Sequence, residues 1–144
     1  MTLVDQALIN RFILHESKIP YAYKDSLGYW TIGIGRLIDN RRGGKLSDDE
    51  MLYLLNNDIK ESIAELTPYR WFTIHDQVRQ GVLIELVFNI GLPHLLEFIK
   101  MIAALTIKDY ITASHELANS EWAKQVGINR VSDMQHRLLT GTYS

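Results

Sequence analysis

The sequence predicts an α+β fold, with a small antiparallel β lobe, a larger helical lobe and a long helix joining them. Three observations carry this. Ala7, Leu8 and Phe12 repeat at helical spacing near the start of the chain. Residues 21–38 switch to short aromatic and β-branched runs punctuated by glycine. From residue 47 onward the helical period returns and holds to the end. No internal repeat, low-complexity segment or flexible linker interrupts the 144 residues. One domain is expected, its β lobe at about 18–45 and its helical lobe at about 60–144 together with the N-terminal helix.

Each element has its own signal. Thr2 is a candidate N-cap with Asp5 three residues on, and Val4, Ala7, Leu8, Phe12 and Ile13 supply the apolar face. That helix should end near Ser17, because Pro20 disfavours helical backbone at Ile19. Tyr21–Asp25 and Gly28–Ile34 read as the strands of a hairpin, with Ser26, Leu27 and Gly28 turning between them and a third short strand at Arg36–Ile38. Gly33 and Gly35 weaken a plain strand and point to close approach of backbone or a bend. Asn40–Gly44 is a polar loop. Ser47-Asp-Asp-Glu50 is a capping box, and Met51, Leu54, Leu55, Ile59, Ile63 and Leu66 form one stripe of a helix reaching to about Leu66, before Pro68. Asp76 caps a segment apolar nearly all round, which belongs in the centre of a core and which Gly91 and Pro93 stop. Further helices follow at Leu95–Leu105, from Thr106 and Asp109 through Leu117, around Trp122, and through Val131, Met134 and Leu138 to Gly141.

Composition excludes several classes. Hydrophobic residues at 47% and charged residues at 22% describe a globular chain rather than a disordered one. The absence of cysteine removes disulfide scaffolds, thiolate zinc sites and cysteine nucleophiles, and is compatible with a reducing compartment. A net charge of −2 lacks the basic excess of a nucleic-acid binder, so no nucleic-acid partner is expected. Asp5, Asn10, Arg11 and Glu16 interrupt the apolar N-terminus, and no span of about 20 apolar residues occurs anywhere, so neither a secretory signal nor membrane insertion is expected. The five histidines lack metal-ligand spacing, and Gly33-Ile-Gly35 lacks the third glycine and the helix start of a dinucleotide fingerprint; no metal and no cofactor is expected. Trp30, Trp71 and Trp122 read as core anchors, Trp30 least firmly.

Three residues attract attention as chemistry. Glu16 falls at the C-terminal end of the first helix, where the macrodipole favours the protonated carboxyl that a general acid requires. Asp25 lies at the hairpin turn and Thr31 across from it on the second strand. A carboxylic acid, a carboxylate and a hydroxyl on one small sheet suit activation of a water and protonation of a glycosidic oxygen. Taken singly, each has an ordinary explanation: a solvated helix end, an Asx turn, and strand propensity.

The run His15-Glu16, Tyr23-Lys24-Asp25 and Gly28-Tyr-Trp-Thr31-Ile-Gly-Ile-Gly35 resembles the signature of phage lysozymes, glycoside hydrolase family twenty-four, in which Asp follows Glu by nine positions and Thr follows Asp by six. Arg79–Ile84 with Val87–Gly91, Ser120–Trp122 with Asn129-Arg130, and Leu139–Tyr143 resemble later parts of the same family, so the likeness covers nearly the whole chain. The resemblance implies a lysozyme-like fold and a muramidase that cleaves the β-1,4 bond between N-acetylmuramic acid and N-acetylglucosamine in bacterial peptidoglycan. It implies Glu16 as general acid, Asp25 and Thr31 as the groups handling the water, and inversion, with the carboxyls roughly 6.5–9.5 Å apart. It further implies Leu37, Phe88 and Asn89 as sugar contacts and Arg130 as a partner of Glu16. For Phe88 a core position, and for Arg130 a solvated helix start, are equally open readings.

The chain also departs from the family. Arg36 stands where the best-known members have His, and Asp58 where that His finds its Asp, so an Arg36–Asp58 pair is expected. The loop from Ile38 to Ser47 is short, Asp133 replaces a common basic residue, and Met101 and Glu116 replace smaller polar cleft residues. The rival reading is a lysozyme-like module that binds sugar or protein without catalysis, and side activity on chitin stays open. The resemblance implies a monomer and a free endolysin made in a host cytoplasm and released through holin pores, with a virion-associated lysozyme as the other setting.

Overall fold

The structure is a computed structural model and describes residues 5–144. The expected Thr2 cap and the Val4 contact lie outside the described residues. The chain divides into two compact units, the first ending at Tyr53 and the second Leu54–Ser144.

In the first unit, helix α1 (Gln6–Glu16) is capped by Asp5, whose side chain accepts the Leu8 N–H at 2.8 Å. None of its residues is buried. It ends where Ser17 adopts φ +69, as Pro20 foretold to within a residue or two. Strands β1 (Ile19–Lys24), β2 (Trp30–Gly33) and β3 (Arg36–Leu37) form an antiparallel sheet in the order β1-β2-β3. β1 begins earlier than expected and passes through Pro20. It is an edge strand with an irregularity between Ile19 and Tyr23, so the missing N–H of Pro20 is tolerated. The register opposes Tyr23, Thr31 and Leu37 on one face, and Lys24 and Trp30 on the other. Asn40–Arg42 forms a 3-10 turn inside the polar loop.

Helix α2 (Asp48–Leu66) runs from one unit into the other. Its capping box is reciprocal: Glu50 Oε1 accepts the Ser47 N–H at 2.9 Å, and Ser47 Oγ accepts the Glu50 N–H at 3.2 Å. Of the expected stripe only Leu66 is fully buried. Leu55, Ile59 and Ile63 instead line an open groove of about 720 Å³ in the second unit, with Ile84 and Phe88.

The second unit adds α3 (Arg70–Thr73), α4 (Gln77–Ile90), α5 (Leu92–Leu95), α6 (Ile99–Thr106), α7 (Tyr110–Ala118), α8 (Glu121–Val126) and α9 (Ile128–Thr140). As expected, α4 supplies the centre, with Val82, Leu83, Leu86 and Val87 buried against Leu66, Leu105, Leu117, Met134 and Leu138. Each such leucine contributes roughly 1.5–3 kcal/mol of transfer free energy. Met101, expected at a cleft, is core. The expected Leu95–Leu105 helix is two pieces, because Pro93 opens a short turn of its own, where its missing N–H is harmless, and Phe98 leaves helical backbone before α6. Asp109, not Thr106, caps α7.

Two polar features hold this core together. Arg79 reaches from α4 to the end of α9, donating from Nε to the Leu138 carbonyl at 2.7 Å and from Nη2 to that of Leu139 at 3.0 Å, which satisfies carbonyls that the helix end leaves unpaired. Arg137, only 4% exposed, pairs with Glu85 and with Asp133, the latter at 3.2 Å. Asp133, the departure from the family's basic residue, thus serves a buried arginine.

Replacing Glu85 by Ala should leave Arg137 with only the longer contact, and a loss of about 2 kcal/mol is expected in urea denaturation. A second outcome concerns His75, which is buried with Nδ1 2.9 Å from the Tyr110 hydroxyl. Burial pushes this ring below the ordinary histidine range. The folded state therefore takes up this proton at lower pH than the unfolded chain, which does so below about pH 6.5. Its contribution is present above that pH and lost as the pH falls. The unfolding midpoint should drop between pH 7 and 5, and His75→Phe should flatten that drop.

Candidate active site

Glu16 is the last residue of α1, and the turn at Ser17 delivers it to the β2–β3 connection. Its carboxyl rests on Gly35: a Cβ placed there would stand 2.7 Å from Glu16 Oε2. Gly35 also has φ +70, so both its backbone and its neighbour demand glycine. The close approach expected of the Gly33-Ile-Gly35 run is this seat.

Asp25 closes the other end of the hairpin. Its Oδ1 accepts the N–H groups of Leu27 and Tyr29, each at 2.9 Å, and its own N–H donates to the Tyr29 carbonyl at 2.9 Å. The Asx role therefore holds, and Oδ2 receives no hydrogen bond among the described residues. Thr31, 4% exposed, donates its hydroxyl to the same Tyr29 carbonyl at 3.1 Å. One carbonyl thus ties the aspartate and the threonine together, and leaves the threonine's lone pairs available as acceptors. Leu37 lies opposite Thr31 on the same face of the sheet.

The hairpin is held from behind by Asp39, which the sequence did not single out. Its buried carboxylate accepts the N–H groups of Trp30 (3.3 Å) and Arg41 (2.9 Å) and the Arg41 Nε at 2.8 Å, and pairs with Arg41 Nη2. Arg41 also donates to the Gly28 carbonyl of the hairpin turn at 3.3 Å. The Arg41 side chain holds the Asp39 carboxyl well below the usual carboxylate range; desolvation opposes this, and the amides of Arg41 and Trp30 support it. The readable signal was Asp two residues before Arg in a short polar loop, an Asx pattern.

Arg36 pairs with Glu50, where Asp58 was the expected partner. Glu50 sits in the first turn of α2, inside Arg36's own unit. Its Oε1 serves the capping box and its Oε2 is left for Arg36. Asp58 lies in the second unit in a recess with Glu61, Glu65 and Phe88. Phe88 is 52% exposed although Leu86 and Val87 beside it are buried, so it is not plain core. Asn89 Oδ1 accepts the Trp122 indole N–H at 2.8 Å, and the Arg130 guanidinium stands 5.6 Å from that indole ring. Trp71 and Trp122 are buried, whereas Trp30 is 46% exposed beneath Lys24. Among the described residues no three His, Asp or Glu side chains converge where a metal ion would sit.

Gly35→Ala should displace Glu16 and strain the turn. A stability loss of roughly 1 kcal/mol or more is expected for this variant in urea denaturation.

Residues 14–138 match the family model described as phage lysozyme. The chain is similar to a probable T4-type lysozyme 1 of Dictyostelium discoideum, 28% identical over 148 residues, covering 83% of this chain and 86% of the relative. The chain therefore belongs to the phage lysozyme family, which at the family level means a lysozyme-like muramidase that acts on peptidoglycan.

Proposed function

We propose that this protein is an inverting muramidase that cleaves the β-1,4 bond between N-acetylmuramic acid and N-acetylglucosamine, with Glu16 as general acid and Asp25 and Thr31 holding the attacking water. The observation that carries the reading is the shared Tyr29 carbonyl. It accepts both the Asp25 backbone N–H and the Thr31 hydroxyl, and Glu16 is seated on Gly35 in the same unit.

The chemistry follows from the donors each group has left. A water donates one proton to Asp25 Oδ2 and the other to a lone pair of Thr31 Oγ1, which directs its own lone pair at the anomeric carbon. As the water oxygen bonds to that carbon, the bond to the leaving oxygen breaks, Glu16 gives its proton to that oxygen, and Asp25 takes the proton of the water. The Asp25 carboxylate also faces the positive charge that develops on the ring. Leu37, Phe88 and Asn89 are the sugar contacts in this reading, and Arg130 a support for Glu16. No helix among the described residues is long and apolar enough to cross a membrane. Release through pores made by another protein, as for an endolysin, is the proposed setting.

Glu16→Gln keeps the size of the side chain and removes its proton. Solubilisation of purified sacculi should fall by about 10²- to 10⁴-fold with the thermal unfolding profile retained. Near-normal solubilisation by this variant would remove Glu16 from the mechanism, and binding without cleavage by the unaltered protein would replace the hydrolase with a recognition module.

A further inference from the structure

The net charge of −2 conceals a segregation. Residues 18–45 hold six basic side chains against two acidic ones, an excess of four in a chain that is acidic as a whole. Two of the six are neutralised locally, Arg41 by Asp39 and Arg36 by Glu50. Arg42 and Lys45 have no carboxylate partner among the described residues, and both line an open recess of about 720 Å³ together with Gly35, Arg36, Leu37 and Glu50. The recess adjoins the candidate chemistry directly, since Gly35 is the seat of Glu16 and Leu37 is the residue opposite Thr31.

The loop that presents these cations is fixed. The Arg42 and Gly44 N–H groups donate to the Asp39 carbonyl at 3.1 and 3.2 Å, and the Gly43 N–H donates to that of Asn40 at 3.1 Å. Gly44 lies so close to β3 that a Cβ there would stand 2.7 Å from the Leu37 carbonyl oxygen. The Arg42 guanidinium stands 5.0 Å from the Tyr29 ring, the residue whose carbonyl joins Asp25 and Thr31. Two free cations held beside a glycan site suit an anionic substituent on the sugar.

We propose that Arg42 and Lys45 form a carboxylate-recognition wall of this site, reading the stem-peptide carboxylates that distinguish cell-wall glycan from neutral chitin. The inference rests on the muramidase reading for its setting. Its test is a binding measurement whose outcome is separate from turnover. The short loop replaces extent of contact with placed charge, and Glu50 is kept from competing by its own bonds to Arg36 and Ser47.

The experiment uses Glu16→Gln protein and sacculi freed of phosphate polymers, in three forms: native, stripped of stem peptides by an amidase, and amidated with carbodiimide and methylamine so that the carboxylates are neutral. Binding is read by co-sedimentation at 50 and 200 mM salt. Native sacculi should bind at least about fivefold more tightly than amidated ones at low salt, and the difference should shrink at high salt. The amidase frees the lactyl carboxylate that the native amide bond masks, so stripped sacculi should bind more weakly than native ones; binding as tight as to native sacculi would overturn recognition of the stem peptide. Arg42→Gln with Lys45→Gln should weaken binding to native sacculi by about fivefold and lower the salt dependence. Lys24→Gln removes one charge from the opposite face of the sheet and should weaken it less than Lys45→Gln alone. Equal binding to native and amidated sacculi, or an effect of Lys24→Gln as large as that of Lys45→Gln, would overturn the proposal. Absence of cleavage by the unaltered protein would overturn the muramidase reading and leave the binding result standing.

Discussion

The β lobe depends on one carboxylate withdrawn from water. In the first unit, Thr31 and Asp39 are the buried residues among those described, so almost no apolar core holds the sheet. A three-stranded sheet of this size has little area to bury and needs another source of order. Asp39 supplies it. A buried carboxylate must be met by donors, and those it collects come from β2 and from the 3-10 turn, while Arg41 extends the same network to the hairpin turn at Gly28. Tyr29 takes Arg41 near one face of its ring, with the guanidinium 5.1 Å from the centroid. The hairpin that carries Asp25 and Thr31, and the turn that carries Arg42, are tied to this point.

The second unit is stabilised in the ordinary way. Its leucines close around α4, and two arginines tie its helices together, Arg79 on the carbonyls ending α9 and the buried Arg137 on Glu85 and Asp133. The division of labour is physical. A large apolar core makes a rigid body, whereas the small lobe, held by directional bonds, positions a carboxyl, a carboxylate and a hydroxyl whose usefulness depends on direction. Gly35 shows the same economy: removing a side chain from the turn is what lets the carboxyl at the end of α1 approach the sheet.

Much of this was legible in the sequence. The period change near residue 21, the capping box at Ser47, the all-round apolar segment after Asp76 and the Glu16, Asp25, Thr31 spacing led to the elements and to the candidate trio. What escaped was decided by contacts remote from local pattern. Asp39 escaped notice because one of its donors comes from Trp30, nine residues away. Arg36 was matched to Asp58 by likeness to the family, yet the first turn of α2 already offered Glu50 an oxygen to spare. The stop at Gly91 and Pro93 holds, and Pro93 also opens a short turn, since its missing N–H is harmless at a helix start. The exposure of Phe88 next to the buried Leu86 and Val87 was invisible to periodicity, because α4 is apolar nearly all round.

The central claim is that this β lobe directs a water at the anomeric carbon of muramic acid. The most direct measurement is digestion of purified peptidoglycan by the unaltered protein, with the released fragments identified by mass and by the sugar at the reducing end. The account predicts fragments that end in N-acetylmuramic acid. Fragments ending in N-acetylglucosamine, or intact strands after prolonged incubation, would contradict it.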